Sequence, residues 1–158
     1  MRHFAAAILL LGLLAGSAAA APFATVAFRK GESALVYDIS TVDREGPFTR
    51  VWTYLIVSHP LDGATMVATR REFVCSVDQR RDLARRFVSP TGDTVRAVEA
   101  PGPWQTLAPG DEDYGVLEQV CGRKPALRVV GKGLSVFDFH DVVRGALGAR
   151  TNTVTASR

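Results

Sequence analysis

FTRVWTYLIVS, residues 48–58, decides how this chain folds. Seven of its eleven residues are apolar or aromatic, and β-branched side chains recur along it. That composition fits a pleated strand. The apolar core VWTYLIV is seven residues, far short of a membrane span of about 20 residues. Its apolarity is nearly continuous rather than alternating, which predicts burial on both faces or a central position in a sheet.

Strand signals continue on either side. Upstream, FATVAF (23–28) and SALVYDI (33–39) read as strands. In the second, Leu35, Tyr37 and Ile39 share one face and Val36 and Asp38 the other. DREGP (43–47) reads as a turn. Downstream, HPLDGA (59–64) reads as a break, and TMVATRREFVCSV (65–77) alternates in its second half. Phe73 and Cys75 fall on one face there, and Glu72, Val74 and Ser76 on the other. DLARRFV (82–88) leads into SPTGD (89–93), a hairpin loop in which Gly92 takes a turn position. TVRAVEA (94–100) is the return strand. Strands this short with tight turns predict an antiparallel sheet.

The pattern changes at PGPW, where Trp104 is expected to plug an edge of the core. Asp111 is placed to cap a helix, and Glu112 and Asp113 put negative charge at its start. Tyr114, Leu117, Val120 and Cys121 then fall on one helical face, and Gly122 supplies a stop. A second helix is predicted over 135–148, where Ser135 and Asp138 form a capping-box-like start. Its stripe is Val136, Phe139, Val142, Val143, Ala146 and Leu147, and Gly148 ends it. Residues 150–158 are polar and expected to fray. The fold class is therefore α+β: an antiparallel sheet of about five to six strands, a helix after it, and an extra tail helix.

MRHFAAAILLLGLLAGSAAAAPFA at the N-terminus reads as a secretory leader cut after Ala20. No cysteine stands at the cut, so no lipid anchor is expected, and the product should be periplasmic or secreted. The leader holds Arg2, one of 19 basic residues, and none of the 16 acidic ones, so the remaining 138 residues carry a net +2. That is too mild for a nucleic-acid binder. The division expected is a leader (1–20), one sheet domain (21–123) and an extension (124–158). Export to an oxidising compartment favours a disulfide between Cys75 and Cys121. Two free thiols, or bridges swapped in a dimer, are the alternatives.

Catalytic and cofactor chemistry has little support. His59 and His140 are the histidines outside the leader, and neither has a recognisable nucleophile beside it, so a surface position is expected for each. Asp111, Glu112 and Asp113 lack the ligand spacing of a calcium loop. No phosphate loop, dinucleotide fingerprint or nucleophile elbow is present, and neither cofactor nor metal is expected. The arginines are the candidate contact surface: Arg70, Arg71, Arg80, Arg81, Arg85, Arg86 and Arg96. On a regular strand Arg81 and Arg85 would share a face while Arg80 and Arg86 point the other way. A helix would instead bring Arg81 beside Arg85, and Asp82 beside Arg86. The functional reading is an anion site for a glycan, a lipid headgroup or an acidic protein segment. The alternative is a charged edge that resists aggregation.

The order of landmarks carries more than any one of them. Tyr37-Asp38, Val51-Trp52, Cys75, Gly92, Trp104, Pro109, Leu117 and Cys121 follow one another across residues 22–123. This order resembles the surface-adhesin protein E family of Gram-negative bacteria. The resemblance implies an antiparallel sheet with a helix at its end, tied to the sheet by Cys75 and Cys121. Trp52, Trp104, Gly92 and Leu117 are its structural positions. It also implies a non-enzymatic binding module for host matrix proteins such as vitronectin, laminin and plasminogen. Envelope glycans are further candidate partners, and an inhibitor of a hydrolase or an envelope-stress protein is the alternative.

Overall fold

Residues 22–125, 129–130 and 134–148 are described in the computed structural model. The predicted leader (1–20) and frayed end (150–158) lie outside the described residues. FTRVWTYLIVS lies at the middle of the sheet, within β4 (Phe48–Leu61). β4 pairs antiparallel with β5 (Ala64–Val74) on one side and with β2 (Ser33–Asp38) on the other. β6 (Gln79–Val88) and β7 (Thr94–Val98) extend the sheet beyond β5, and β1 (Phe23–Arg29) and β9 (Val129–Val130) extend it beyond β2. Two short pieces sit off this path: β3 (Asp43–Glu45) on β4, and β8 (Gln105–Thr106) on β6. Every pairing is antiparallel, and the six long strands are those read from the sequence.

A helix covers each face, which explains why β4 is apolar on both. α1 (Glu112–Val120) packs Val116, Leu117 and Val120 against Ala24, Leu35, Val51 and Phe73. α2 (Val136–Leu147) packs Phe139, Val143 and Leu147 against Phe23, Val36, Ile56 and Met66 on the opposite face. β4 therefore sends Val51 to one core and Ile56 to the other. Each large buried side chain contributes roughly 1.5–3 kcal/mol through the apolar area it removes from water. Gly115 in α1 is set by close approach. A Cβ there would lie 2.8 Å from Val26 Cγ1, so a larger residue would push α1 off β1.

Several boundaries differ from the sequence reading. β4 runs through His59 and Pro60 to Leu61, and the break narrows to Asp62-Gly63. Both residues have positive φ, 50° and 81°, the geometry of a two-residue hairpin turn. DREGP narrows likewise: Asp43–Glu45 pair with Phe48–Arg50, leaving Gly46-Pro47 as the turn. β5 ends at Val74, so Cys75 lies in the turn that follows. Cys75 and Cys121 form the disulfide, with Cα atoms 5.7 Å apart. It joins the end of β5 to the C-cap of α1.

The tail helix starts with the expected capping box: Ser135 Oγ accepts from the Asp138 amide and the Asp138 carboxylate accepts from the Ser135 amide. Its buried stripe is shifted. Val142 is 58% exposed and Ala146 is also exposed, whereas His140 is buried. Phe139, His140, Val143 and Leu147 form the inner face, so the expected surface position holds for His59 and fails for His140.

Candidate functional site

The arginines are sorted by a bulge in β6. Arg70 pairs with Ala84 but Arg71 with Asp82, which leaves Leu83 as an extra residue. An extra residue reverses the alternation beyond it. Arg80 and Asp82 therefore share a face with Arg85, and Arg81 shares the other with Arg86. This corrects the regular-strand expectation, which paired Arg81 with Arg85, and it also rules out the helical alternative for this segment.

On the α1 face, Asp82 and Asp113 organise three arginines. Arg80 Nη1 donates to Asp82 Oδ1 at 2.7 Å, and Arg85 Nη2 donates to Asp82 Oδ2. Arg71 Nη1 donates to Asp113 Oδ1, and Arg80 Nε lies 2.8 Å from Asp113 Oδ2. Burial draws the Arg71 guanidinium below its ordinary value, against the opposing pull of Asp113. Asp113 thus anchors α1 to β5 and β6, a role beyond favouring the helix dipole. Asp111 also departs from expectation. It occupies the N-cap, but its carboxylate accepts from the Ala108 amide at 2.8 Å rather than from the helix.

On the α2 face, Glu72 is 1% exposed and clamped by two arginines. Arg50 Nε donates to Glu72 Oε1 at 2.8 Å, and Arg81 Nε to Glu72 Oε2 at 2.7 Å. Burial alone would raise the Glu72 carboxyl, but the two arginines together hold it below the usual value. The Arg81 guanidinium lies 4.5 Å from the centroid of the Trp104 ring, which runs near-parallel to Phe48. Trp104 is 38% exposed and acts as a lid over this ion cluster, which corrects its expected role as an edge plug. Trp52 carries Arg86 at 5.3 Å over its ring, and Arg86 also donates to Glu99. Gly92 has φ 90° in the β6–β7 turn, where a Cβ would meet Phe137 of α2 at 3.4 Å.

The clamp predicts a reversal in pH dependence. With both arginines present, the Glu72 contribution to stability is intact above its unfolded pKa near 4.5 and fades as pH falls through the lower folded value. In Arg50→Ala/Arg81→Ala only burial acts on Glu72, so its folded value should rise above the unfolded one. Stability then improves on acidification. Urea midpoints at neutral and mildly acidic pH measure both slopes, and a double variant that follows the parent would refute the account.

The structure thus splits the seven candidate arginines. Arg71, Arg80 and Arg81 are partly buried in ion clusters. Arg70, Arg85, Arg86 and Arg96 are exposed. Arg80, Arg85 and Arg96 line a cleft of about 400 Å³ with Phe87 and Val98, between β6, β7 and the segment that returns to β8. Arg96 lies 3.8 Å over the Phe87 ring and has no ion-pair partner among the described residues. Its charge is available to a ligand.

His140 belongs to a second arrangement that sequence spacing did not reveal. Its Nε2 is 3.0 Å from Thr65 Oγ1, and its Nδ1 is 3.1 Å from Asp141 Oδ1. A hydroxyl, an imidazole and a carboxylate in that order resemble a nucleophile, base and orienter. Thr65 is fully buried, however, and cannot meet a substrate where it stands. The chain of contacts joins α2 to β5. Burial lowers the His140 pKa, outweighing the hydrogen bond that the Asp141 carboxylate accepts. No cluster of three or more His, Cys, Asp or Glu residues able to hold a metal occurs among the described residues. Nor is any described helix long and apolar enough to cross a membrane.

The family model for surface-adhesin protein E matches residues 24–122, more than half of the chain. The match runs from β1 to the residue after Cys121 and leaves α2 outside it. No curated protein and no solved structure matches the chain. The matched span contains both cysteines, both tryptophans and the whole of β2 through α1, and on that match the chain belongs to the surface-adhesin protein E family.

Proposed function

We propose that this protein is an exported, non-enzymatic binding module, whose contact surface includes the exposed arginines Arg70, Arg85, Arg86 and Arg96. Family membership carries the reading. Two features of the molecule support it. The nucleophile-like arrangement of Thr65, His140 and Asp141 is sealed by the full burial of Thr65. Arg85 and Arg96 flank an open cleft rather than an enclosed cavity, and Arg70 and Arg86 stand exposed on the opposite face of the sheet. Ligands of the matrix-protein or envelope-glycan type suit such a surface, because exposed arginines attract and orient acidic groups without excluding water.

The test is capture of the purified mature chain by immobilised vitronectin, laminin, plasminogen and envelope glycans. Saturable binding to at least one is expected. It should weaken with added salt, as contacts between exposed charges do. The variant Arg70→Ala/Arg85→Ala/Arg86→Ala/Arg96→Ala should bind at least tenfold more weakly, given several lost charge contacts. Undiminished binding by that variant would remove the arginines from the surface. Protease accessibility on intact cells places the protein. Digestion fits a displayed adhesin, and protection would remove that role.

A further inference from the structure

β7 ends the sheet on the arginine side, and its outer edge has no partner among the described residues. The inner side is fully engaged. β6 pairs β7 along Arg85–Val88, pairs β8 at Gln79 and Arg80, and accepts from the Gly102 amide through Asp82 O between them. An open edge displays a row of amide donors and carbonyl acceptors, which another extended backbone can satisfy. Natural edges are commonly blunted by proline, lysine or a covering loop. TVRAV has neither proline nor lysine, and all five residues are exposed. Its blunting devices are the charge of Arg96 and the register shift opposite Phe87 and Val88.

Charge sits beside the edge with one sign in excess. Asp82 and Asp113 are shared among Arg71, Arg80 and Arg85, so cations outnumber carboxylates in this cluster, and Arg96 adds a charge with no ion-pair partner among the described residues. Arg96 stands on β7 itself, and Arg85 pairs opposite Val98. Asp93 and Glu99 flank the strand in the chain, with Glu99 engaged by Arg86, and Asp62 lines a small adjoining pocket with Phe87, Val95 and Arg96. A strand added to β7 would place every second side chain on this face, about 7 Å apart.

We propose that β7 takes an extended acidic peptide segment as an added strand, with carboxylates at alternate positions meeting Arg96 and Arg85. The proposal rests on the binding-module reading and names the partner's chemistry. A sulfated glycan could satisfy the arginines but would leave the strand edge unpaired, so the open edge decides for a polypeptide.

The probe is an eight-residue alternating Thr-Glu peptide, titrated against the mature chain and followed by fluorescence anisotropy. Backbone hydrogen exchange is read over residues 94–98. Binding with slowed exchange in β7 is expected. Arg85→Ala and Arg96→Ala should each weaken it about tenfold, the scale of one lost charge-assisted hydrogen bond. Unchanged thermal unfolding of these variants shows that they remain folded. A peptide methylated at alternate backbone nitrogens should not bind. Equal affinity for the methylated peptide or for a Thr-Lys peptide would overturn strand addition. So would occupation of the arginines by a heparin fragment with no affinity for the Thr-Glu probe. Matrix capture without peptide binding would sink this inference and leave the adhesive function standing. Peptide binding without matrix capture would do the reverse.

Discussion

Replacement of Cys75 and Cys121 together by serine is expected to lower stability by about 4 kcal/mol, the chain-entropy value for a loop of 46 positions. The bond joins the end of β5 to the C-cap of α1 across that separation. Without it the unfolded chain regains the freedom of the whole segment 75–121, which spans β6, β7, β8 and α1. The native state keeps much of what holds α1 in place. Val116, Leu117 and Val120 remain buried, Asp113 still pairs with Arg71 and Arg80, and Arg123 still donates to Cys75 O and to Asp78. The variant should therefore fold, but close to the limit for a domain whose total stability is about 5–15 kcal/mol. Urea unfolding with and without reductant measures the effect. The parent should lose the increment on reduction, and the double serine variant should not respond. Equal midpoints for oxidised parent and variant would mean that the other contacts already fix the loop.

The second large effect lies outside the span that defines the family. Phe139→Ala in α2 should cost about 3–5 kcal/mol, the usual range for emptying a buried aromatic site. Phe139 is 2% exposed, and its ring stacks on Phe23 with centroids 4.4 Å apart. Phe23 lies on β1, so the loss would be felt at that strand within the same core. Removing the tail altogether would uncover Phe23, Ile56 and Met66 together and should drive association. The same helix gives stability a pH dependence above the carboxylate range. His140 is held neutral by burial, so its folded pKa lies below the unfolded value of 6.5. Its contribution is fully present above 6.5 and is lost as pH falls through the folded value. His140→Gln should flatten the decline that begins near 6.5, leaving the Glu72-dependent decline at lower pH. A wild-type midpoint that is level down to the carboxylate range would contradict this.

The elements themselves were legible in the sequence because local chemistry encodes them. The β-branched run of β4, the turn glycines, and the caps of α2 are decided within a few residues. The disulfide pairing followed from compartment and cysteine number. What the sequence hid was decided across the sheet. His140 looked like a surface residue because its partner, Thr65, is 75 positions away. Glu72 could be placed only on the face opposite Phe73, because the arginines that bury it come from β4 and β6. Trp104 reads from the sequence as a plug at an edge of the core, in an irregular segment. Only the sheet register shows that it covers a cation.

The single extra residue in β6 also has a consequence for comparison among relatives. Arg80 and Arg85 cooperate because an odd number of residues was added between them and their partners on β5. A relative with arginine at every matching column but without the equivalent of Leu83 would place those charges on opposite sides of its sheet. The face on which a β6 charge stands thus depends on phase as well as composition. Sequence identity over β6 will overstate the likeness of two binding surfaces wherever the count between Asp82 and Ala84 differs.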